Sequence, residues 1–116
     1  MHHPSAIRPE AHAAFNPEKM GKATLFESER MLVGLNCFEQ GQEHALHAHD
    51  GMDKVYQVIA GTGLFLLEDR ELPMEPGVML VAPSGVSHGI RNTGPGRLVV
   101  LAILAPAPGS AAGRKG

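Results

Sequence analysis

Three histidines, His47, His49 and His88, have the side-chain type and the spacing that could bind a metal ion. His47 and His49 are two residues apart, and residues two apart on a β-strand project from the same face of the sheet. Their imidazoles could therefore point to one spot, and His88 from another strand would add a third nitrogen. An isolated histidine is more often a hydrogen-bonded core or surface residue. Two histidines at the strand period, together with a third, favour the metal-binding interpretation.

The composition indicates one small domain and argues against several classes of protein. The chain has 116 residues, with 10 Lys and Arg against 12 Asp and Glu, so we expect one domain with its own core and no nucleic-acid partner. No apolar run approaches the length of a membrane span, and residues 1–17 lack the apolar core of a signal peptide. The single cysteine, Cys37, excludes an internal disulfide, which leads us to expect a reducing, cytoplasmic environment.

Short strands separated by turns account for most of the chain. Gly, Pro and acidic residues recur between the apolar segments, and helical periodicity is nearly absent. Strands at this regular spacing predict an all-β sandwich or barrel. The predicted strands span residues 23–26, 31–38, 44–49, 55–59, 63–67, 78–82, 88–92 and 98–104.

The two ends of the chain differ from its centre. We expect residues 1–22 to form a partly flexible N-terminal arm, with either a short helix or a segment that covers a sheet edge. Residues 23–104 are expected to form the barrel, and residues 105–116, rich in Ala, Pro and Gly, a flexible C-terminal tail. Segments 31–35 and 98–104 are apolar on both faces, so one face should line the barrel and the other should pack elsewhere. A second copy of the chain is the simplest partner for that outward apolar face, and we therefore predict a homodimer.

Two spaced motifs carry a family resemblance. The first cupin motif has five fixed positions, and this chain matches four of them, Gly41, His47, His49 and Gly61. The fifth position is Glu in the family and Lys54 here. The second cupin motif is matched at all five positions, Gly77, Pro83, Gly85, His88 and Asn92. Over about residues 31–104 the chain therefore resembles a small single-domain cupin.

The spacing of the two motifs has physical reasons of its own. Gly61 and Gly77 are expected at tight turns with positive φ, which other residues adopt only at a cost. Pro83 and Gly85 should redirect the chain so that the next strand carries His88 inward. The Asn92 amide, four residues later, could tie a strand end to the neighbouring backbone.

The resemblance implies a cupin β-barrel, also described as a double-stranded β-helix or jelly roll. In the family, the histidines and Glu of the first motif and the histidine of the second bind a divalent metal inside the barrel. Carried over residue by residue, His47, His49 and His88 are the predicted ligands. Fe, Mn, Ni, Cu and Zn are all candidates, because three imidazoles suit several first-row ions.

Lys54 leaves three arrangements open, because an ammonium group has no lone pair to donate to a metal. Lys54 could turn toward solvent and leave a site of three histidines completed by water. Asp53 could take the ligand role, although the strand period should turn it the wrong way. In the third arrangement the metal is lost and Lys54 binds an anionic ligand. We favour the first.

Other side chains receive weaker assignments. Tyr56 shares the face of Lys54 and could offer its hydroxyl to a ligand, so both are candidate catalytic residues. His44 should lie on the face opposite His47 if the strand is regular, and is expected at the surface. Cys37 is expected to be a small buried apolar residue. We expect part of a pocket wall to be formed by the side chains of Phe65, Leu67, Met79 and Val81.

Two functional hypotheses follow. The first is a metal-dependent cupin enzyme, a dioxygenase or an isomerase, which acts on a small organic substrate with the metal as a Lewis acid or oxygen-binding centre. The second is a non-catalytic module with a weakened or lost metal site, in which Lys54 holds a small anionic ligand. Both predict a small-molecule partner, and neither identifies it, because one barrel supports many reactions.

Overall fold

The computed structural model describes residues 4–109, which form nine β-strands and one short 3-10 helix, Pro9–His12. None of the helices in this part of the chain is long and apolar enough to cross a membrane. The strands are β1 (Gly21–Glu27), β2 (Leu32–Phe38), β3 (Glu43–His47), β4 (Asp53–Ala60), β5 (Gly63–Leu66), β6 (Glu71–Met74), β7 (Met79–Ala82), β8 (His88–Arg91) and β9 (Leu98–Ala105).

The strands form two antiparallel sheets. The five-stranded sheet has the order β1-β2-β9-β4-β7, and the four-stranded sheet has the order β3-β8-β5-β6. Neighbours in each sheet are often far apart in the sequence, as for β2 and β9, so the chain passes repeatedly between the sheets. The all-β class predicted from the turn pattern is confirmed.

The predicted strands correspond to eight of the nine observed ones, with ends that agree within two residues. The one that was missed is β6, which contains Pro73. Proline argues against a central strand because it lacks a backbone N–H. β6 lies at the edge of the four-stranded sheet, where the missing donor is tolerated.

The main core lies between the two sheets. It is lined by Phe38, Tyr56, Val58, Phe65, Met74, Leu80, Ala82, Ile90, Leu98, Val100 and Ala102. A second, smaller cluster on the five-stranded sheet contains Leu35, Cys37 and Val99, and Ala13 and Phe15 of the N-terminal segment pack against it. Cys37 is buried, as predicted, and burial raises the pKa of its thiol, which makes it a poor nucleophile.

The N-terminal segment is therefore a cover for a sheet face as well as a short 3-10 turn. At the other end, the predicted flexible tail begins at Ala105, which the structure shows to be the last residue of β9. Ala107, two residues further on, is buried. Residues 110–116 of that predicted tail lie outside the described residues.

Turn residues of the two motifs behave as the sequence predicts. Gly61 and Gly77 have φ values of 86° and 92°. The buried Asn92 amide group donates to the carbonyl oxygens of Phe38, Glu39 and Gly96 at 3.2, 3.0 and 2.8 Å. Its Oδ1 accepts the Gly94 N–H at 3.0 Å. Asn92 thus joins the end of β2 to the end of β8 and the turn after it, which holds the strand that carries His88 in place.

Candidate functional site

The site is built on the pairing of β3 with β8. His47 and His88 are direct cross-strand partners, and their ring centroids are 4.4 Å apart. His88 is only 2% exposed, and its ring stacks on Phe65 at 5.8 Å. The turn that contains Pro83 and Gly85 therefore does carry His88 inward, as predicted.

A bulge in β3 changes which side chains face the barrel. His44 pairs with Ile90 and His47 with His88, so the two residues between them on β3 lie opposite a single residue on β8. One extra residue inverts the alternation between them. The His44 ring consequently stacks on the His47 ring at 4.3 Å and lies on the barrel side. The prediction that His44 lies on the opposite face is wrong, because it assumed a regular strand.

Lys54 and Tyr56 reach the same place from β4. The Lys54 ammonium lies 3.0 Å from Nε2 of His47, and the Tyr56 hydroxyl lies 3.1 Å from Nε2 of His88. Lys54 is 6% exposed and Tyr56 is 2% exposed. The two side chains share one face of the strand, as their spacing predicts, and Lys54 does not turn toward solvent.

Backbone contacts determine which nitrogen of each ring carries the proton. Nδ1 of His47 lies 2.9 Å from the Ala45 carbonyl oxygen, and Nδ1 of His88 lies 2.9 Å from the Val86 carbonyl oxygen. A carbonyl oxygen only accepts, so each Nδ1 must carry the hydrogen. Each Nε2 then accepts, from the Lys54 ammonium in one case and from the Tyr56 hydroxyl in the other.

Burial and positive charge keep the imidazoles neutral. Burial lowers the pKa of His44 to about 4, with further lowering from His47 and Lys22. The pKa values of His47 and His88 are also lowered, mainly by burial. Burial lowers the pKa of Lys54 as well, and the neighbouring Lys22 adds to the effect. Burial raises the pKa of Tyr56, which therefore keeps its proton.

Two candidate residues, His49 after β3 and Asp53 at the start of β4, contact the turn before β8. The His49 side chain is exposed, and its carbonyl oxygen accepts the Gly85 N–H at 2.9 Å. Asp53 is also exposed, and its carboxylate accepts the Ser84 N–H at 2.9 Å. The geometry therefore gives Asp53 a role in tying two loops together, away from the ligand position considered for it.

The arrangement does not offer a metal a ready set of ligands. Within residues 4–109, no group of three or more His, Cys, Asp or Glu side chains is placed to hold an ion. Both inward Nε2 lone pairs already accept hydrogen bonds, and the ammonium beside His47 would repel a cation. Binding of a metal by His47, His49 and His88 stays a prediction.

A cavity of about 110 Å³ opens beside Lys54, between the inner faces of the sheets. It is lined by Lys22, Ala23, Thr24, Leu32, Gly34, Leu35, Asn36, His44, Lys54, Tyr56, Ala102 and Leu104. The wall residues predicted from sequence are not among them. Met79 and Val81 are 60% and 56% exposed on the outside of β7, so their assignment to the wall is wrong. Phe65 belongs to the core, and Leu67 packs against it.

Comparisons with known proteins place this geometry in context. A family model described as a cupin domain matches residues 34–104. The chain is 30% identical over 94 residues to an oxalate-binding protein of Thermotoga maritima, covering 81% of this chain and 72% of that protein. A solved structure from Thermus thermophilus matches with a TM-score of 0.84 at 37% identity, over 89% of this chain and 98% of that one. The structure of a predicted oxalate decarboxylase from Thermotoga maritima matches with a TM-score of 0.71 at 27% identity, over 75% of this chain and 80% of that one.

The lowered histidine pKa values predict a stability that decreases in mild acid. Between the ordinary histidine pKa of 6.5 and the value of about 4 for His44, the unfolded chain binds more protons than the folded one. The free energy of unfolding must then fall as the pH falls through this window. We expect the urea midpoint to drop between pH 7 and pH 5, and to drop less in a His44→Gln variant.

A His12→Gln variant is the control, because His12 is exposed in the N-terminal segment and its loss should leave the pH dependence unchanged. A wild-type urea midpoint that is the same at pH 7 and pH 5 would contradict the assignment of His44, His47 and His88 as neutral imidazoles with lowered pKa values.

Proposed function

Because this chain belongs to the cupin family, shown by the family match over residues 34–104, we propose that its barrel binds a small organic anion with the Lys54 ammonium as the anchor. The observation that carries this proposal is a buried cation without a counter-ion. Lys54 is 6% exposed, and its hydrogen-bond partner is the neutral ring of His47. Lysine is almost never buried unless it is paired, and an anionic ligand in the cavity would supply the missing charge.

The lining of the cavity supports an anion over a cation. Among its described residues are two lysines, and none is acidic. Tyr56 keeps its proton. Its hydroxyl, which now donates to His88, could donate to a carboxylate oxygen of the ligand instead. The volume of about 110 Å³ equals that of three or four water molecules at about 30 Å³ each. That space suits a small acid.

The names of relatives agree with this ligand class. The relative from Thermotoga maritima is described as an oxalate-binding protein, and a structure with 27% identity as a predicted oxalate decarboxylase. Oxalate is a small carboxylate anion and is therefore the first probe that we would use. In this proposal Lys54 and Tyr56 are ligand-binding residues, and the protein is a binding module located in the cytoplasm.

A metal-dependent enzyme is the second candidate. Nδ1 of His47 and of His88 is held by a backbone carbonyl, which leaves Nε2 as the nitrogen with a lone pair. Histidines that bind metals are commonly oriented in this way. This candidate requires Lys54 to leave Nε2 of His47, and it would assign His47, His49 and His88 to a divalent transition metal that acts on a small substrate.

Replacing Lys54 tests whether its ammonium group anchors the anionic ligand. We expect Lys54→Met to weaken oxalate binding by about 10- to 100-fold, because a hydrogen bond to a charged group contributes about 1.5–3 kcal/mol. The same variant should unfold at higher urea, since removal of an uncompensated buried charge stabilises a core. Isothermal titration calorimetry and urea unfolding measure the two effects.

The matched control is Lys19→Met, which removes the same charge from an exposed position outside the inner cavity. Equal oxalate affinities for the wild type, Lys54→Met and Lys19→Met would refute Lys54 as the anchor.

Metal content separates the two candidates. In protein produced with Fe, Mn, Ni, Cu and Zn supplied, the anion-binding proposal predicts well under one metal ion per chain by elemental analysis. A Lys54→Glu variant restores the carboxylate that the first cupin motif contains, and its metal content should rise strongly. One tightly bound ion per chain in the wild type would favour the enzyme and count against the anion proposal.

A second copy of the chain is the partner that we propose for the outer face of the five-stranded sheet. The register aligns one apolar row across four strands, with Val33 opposite Ile103, Ile103 opposite Val55, and Val55 opposite Val81. This row, which we call the outer row, carries no charge, and Val81 at its end is 56% exposed. Two such faces are complementary to each other around a two-fold axis.

A charge in the outer row should prevent this pairing. We expect the wild type to be a dimer by light scattering coupled to size-exclusion chromatography, and Val81→Lys to be a monomer. Val86→Lys is the control, because Val86 is also exposed and apolar but lies in the turn before β8, outside the outer row. A monomeric wild type would overturn the proposal, as would a Val81→Lys dimer as stable as that of Val86→Lys.

A further inference from the structure

A second polar position lies on the inner face of the five-stranded sheet, on the strands β1 and β2. Lys22 on β1 and Asn36 on β2 are direct cross-strand partners, and both line the inner cavity. Asn36 is only 8% exposed. Its side-chain amide makes no hydrogen bond to any other residue within 4–109, and its polar atoms remain accessible instead of being fully buried. An unpartnered amide that faces a cavity is suited to bind a ligand.

The distribution of charge in the cavity points to the same conclusion. Lys22 and Lys54 line one cavity whose described residues include no carboxylate. They are close enough for Lys22 to lower the pKa of Lys54 through charge repulsion. A single negative charge would neutralise the buried Lys54 ammonium and leave the Lys22 ammonium, which is exposed at the rim, to the solvent. A dianion would neutralise both.

A second, outer pocket shares lining residues with the cavity. A wider outer pocket of about 520 Å³ is lined by Asn16, Lys19, Met20, Gly21, Lys22, Glu43 and His44. Lys22 and His44 also line the inner cavity, so the two pockets share these two residues. β1 and β3 are edge strands of different sheets, and a ligand could enter between these edges. A ligand that enters there reaches Lys22 first and Lys54 deeper inside.

We propose that Lys22 and Asn36 form a second subsite, and that the ligand of the barrel is a short dicarboxylate with one carboxylate on Lys54 and the other on Lys22 and Asn36. This inference rests on the proposed function of Lys54 as an anion anchor. It adds the requirement for two carboxylates, since an anchor alone would accept any small acid, and it makes Lys22 and Asn36 the residues that select for the second one.

Pairs of acids of equal carbon number test the second subsite. Malonate is compared with propionate, and succinate with butyrate, by isothermal titration calorimetry. We expect the wild type to bind the better dicarboxylate at least about tenfold more tightly than its monocarboxylate partner. In Lys22→Met this ratio should fall to about one, while monocarboxylate affinity changes little because Lys54 is intact. Asn36→Leu should lower the ratio in the same direction by a smaller factor.

Lys19→Met is the matched control, since Lys19 lines only the outer pocket. The ratio in this variant should equal that of the wild type. Lys22 is exposed at the rim, so Lys22→Met is expected to fold normally, and circular dichroism checks this for each variant.

Each outcome decides a different claim. Equal affinities for mono- and dicarboxylates in the wild type would overturn the second subsite and leave the Lys54 anchor standing. An equal loss of the ratio in Lys19→Met and Lys22→Met would also overturn it, because the effect would come from net charge alone. Binding of neither acid would overturn both the subsite and the proposed function.

Discussion

The hydrogen bond between the Lys54 ammonium and Nε2 of His47, 3.0 Å long, is the interaction on which the rest of the site depends. It occupies the lone pair that a metal would need and orients a buried positive charge toward the cavity. It forms because the Ala45 carbonyl oxygen holds the hydrogen on Nδ1 of His47, which leaves Nε2 to accept. One difference at a motif position, Lys54 in place of Glu, therefore puts a cationic side chain where the first cupin motif has an anionic one.

The fold makes this contact possible by bringing distant segments into register. His47 and His88 meet because β3 pairs with β8, while Lys54 and Tyr56 come from β4 in the opposite sheet. The Asn92 amide ties the ends of β2 and β8 together through three backbone carbonyl oxygens. His47 and His88 are thus held by hydrogen bonds from Nδ1 to backbone carbonyl oxygens, and Lys54 is held by its hydrogen bond to His47.

Much of this arrangement could be predicted from the sequence, because strand alternation and turn chemistry are local. The turn glycines, the inward direction of His88, the buried Cys37 and the shared face of Lys54 and Tyr56 are all found as expected.

The bulge in β3 was not predictable, since nothing in residues 43–47 marks an extra residue, and so the facing of His44 was assigned wrongly. Met79 and Val81 were misplaced for a related reason, because alternation identifies two faces but not which one is inside. The roles of Lys22 and Asn36 depend on pairing between β1 and β2 and on the cavity, neither of which the sequence displays.

The protonation of the two histidine rings tests the central claim most directly. Long-range nitrogen–proton correlation spectra at pH 7, recorded on protein produced with metals supplied, report which ring nitrogen carries the hydrogen. The account predicts neutral rings protonated on Nδ1 for both His47 and His88, with spectra that do not change when a chelator is added. Rings protonated on Nε2, or signals that shift when a chelator removes a bound ion, would contradict it.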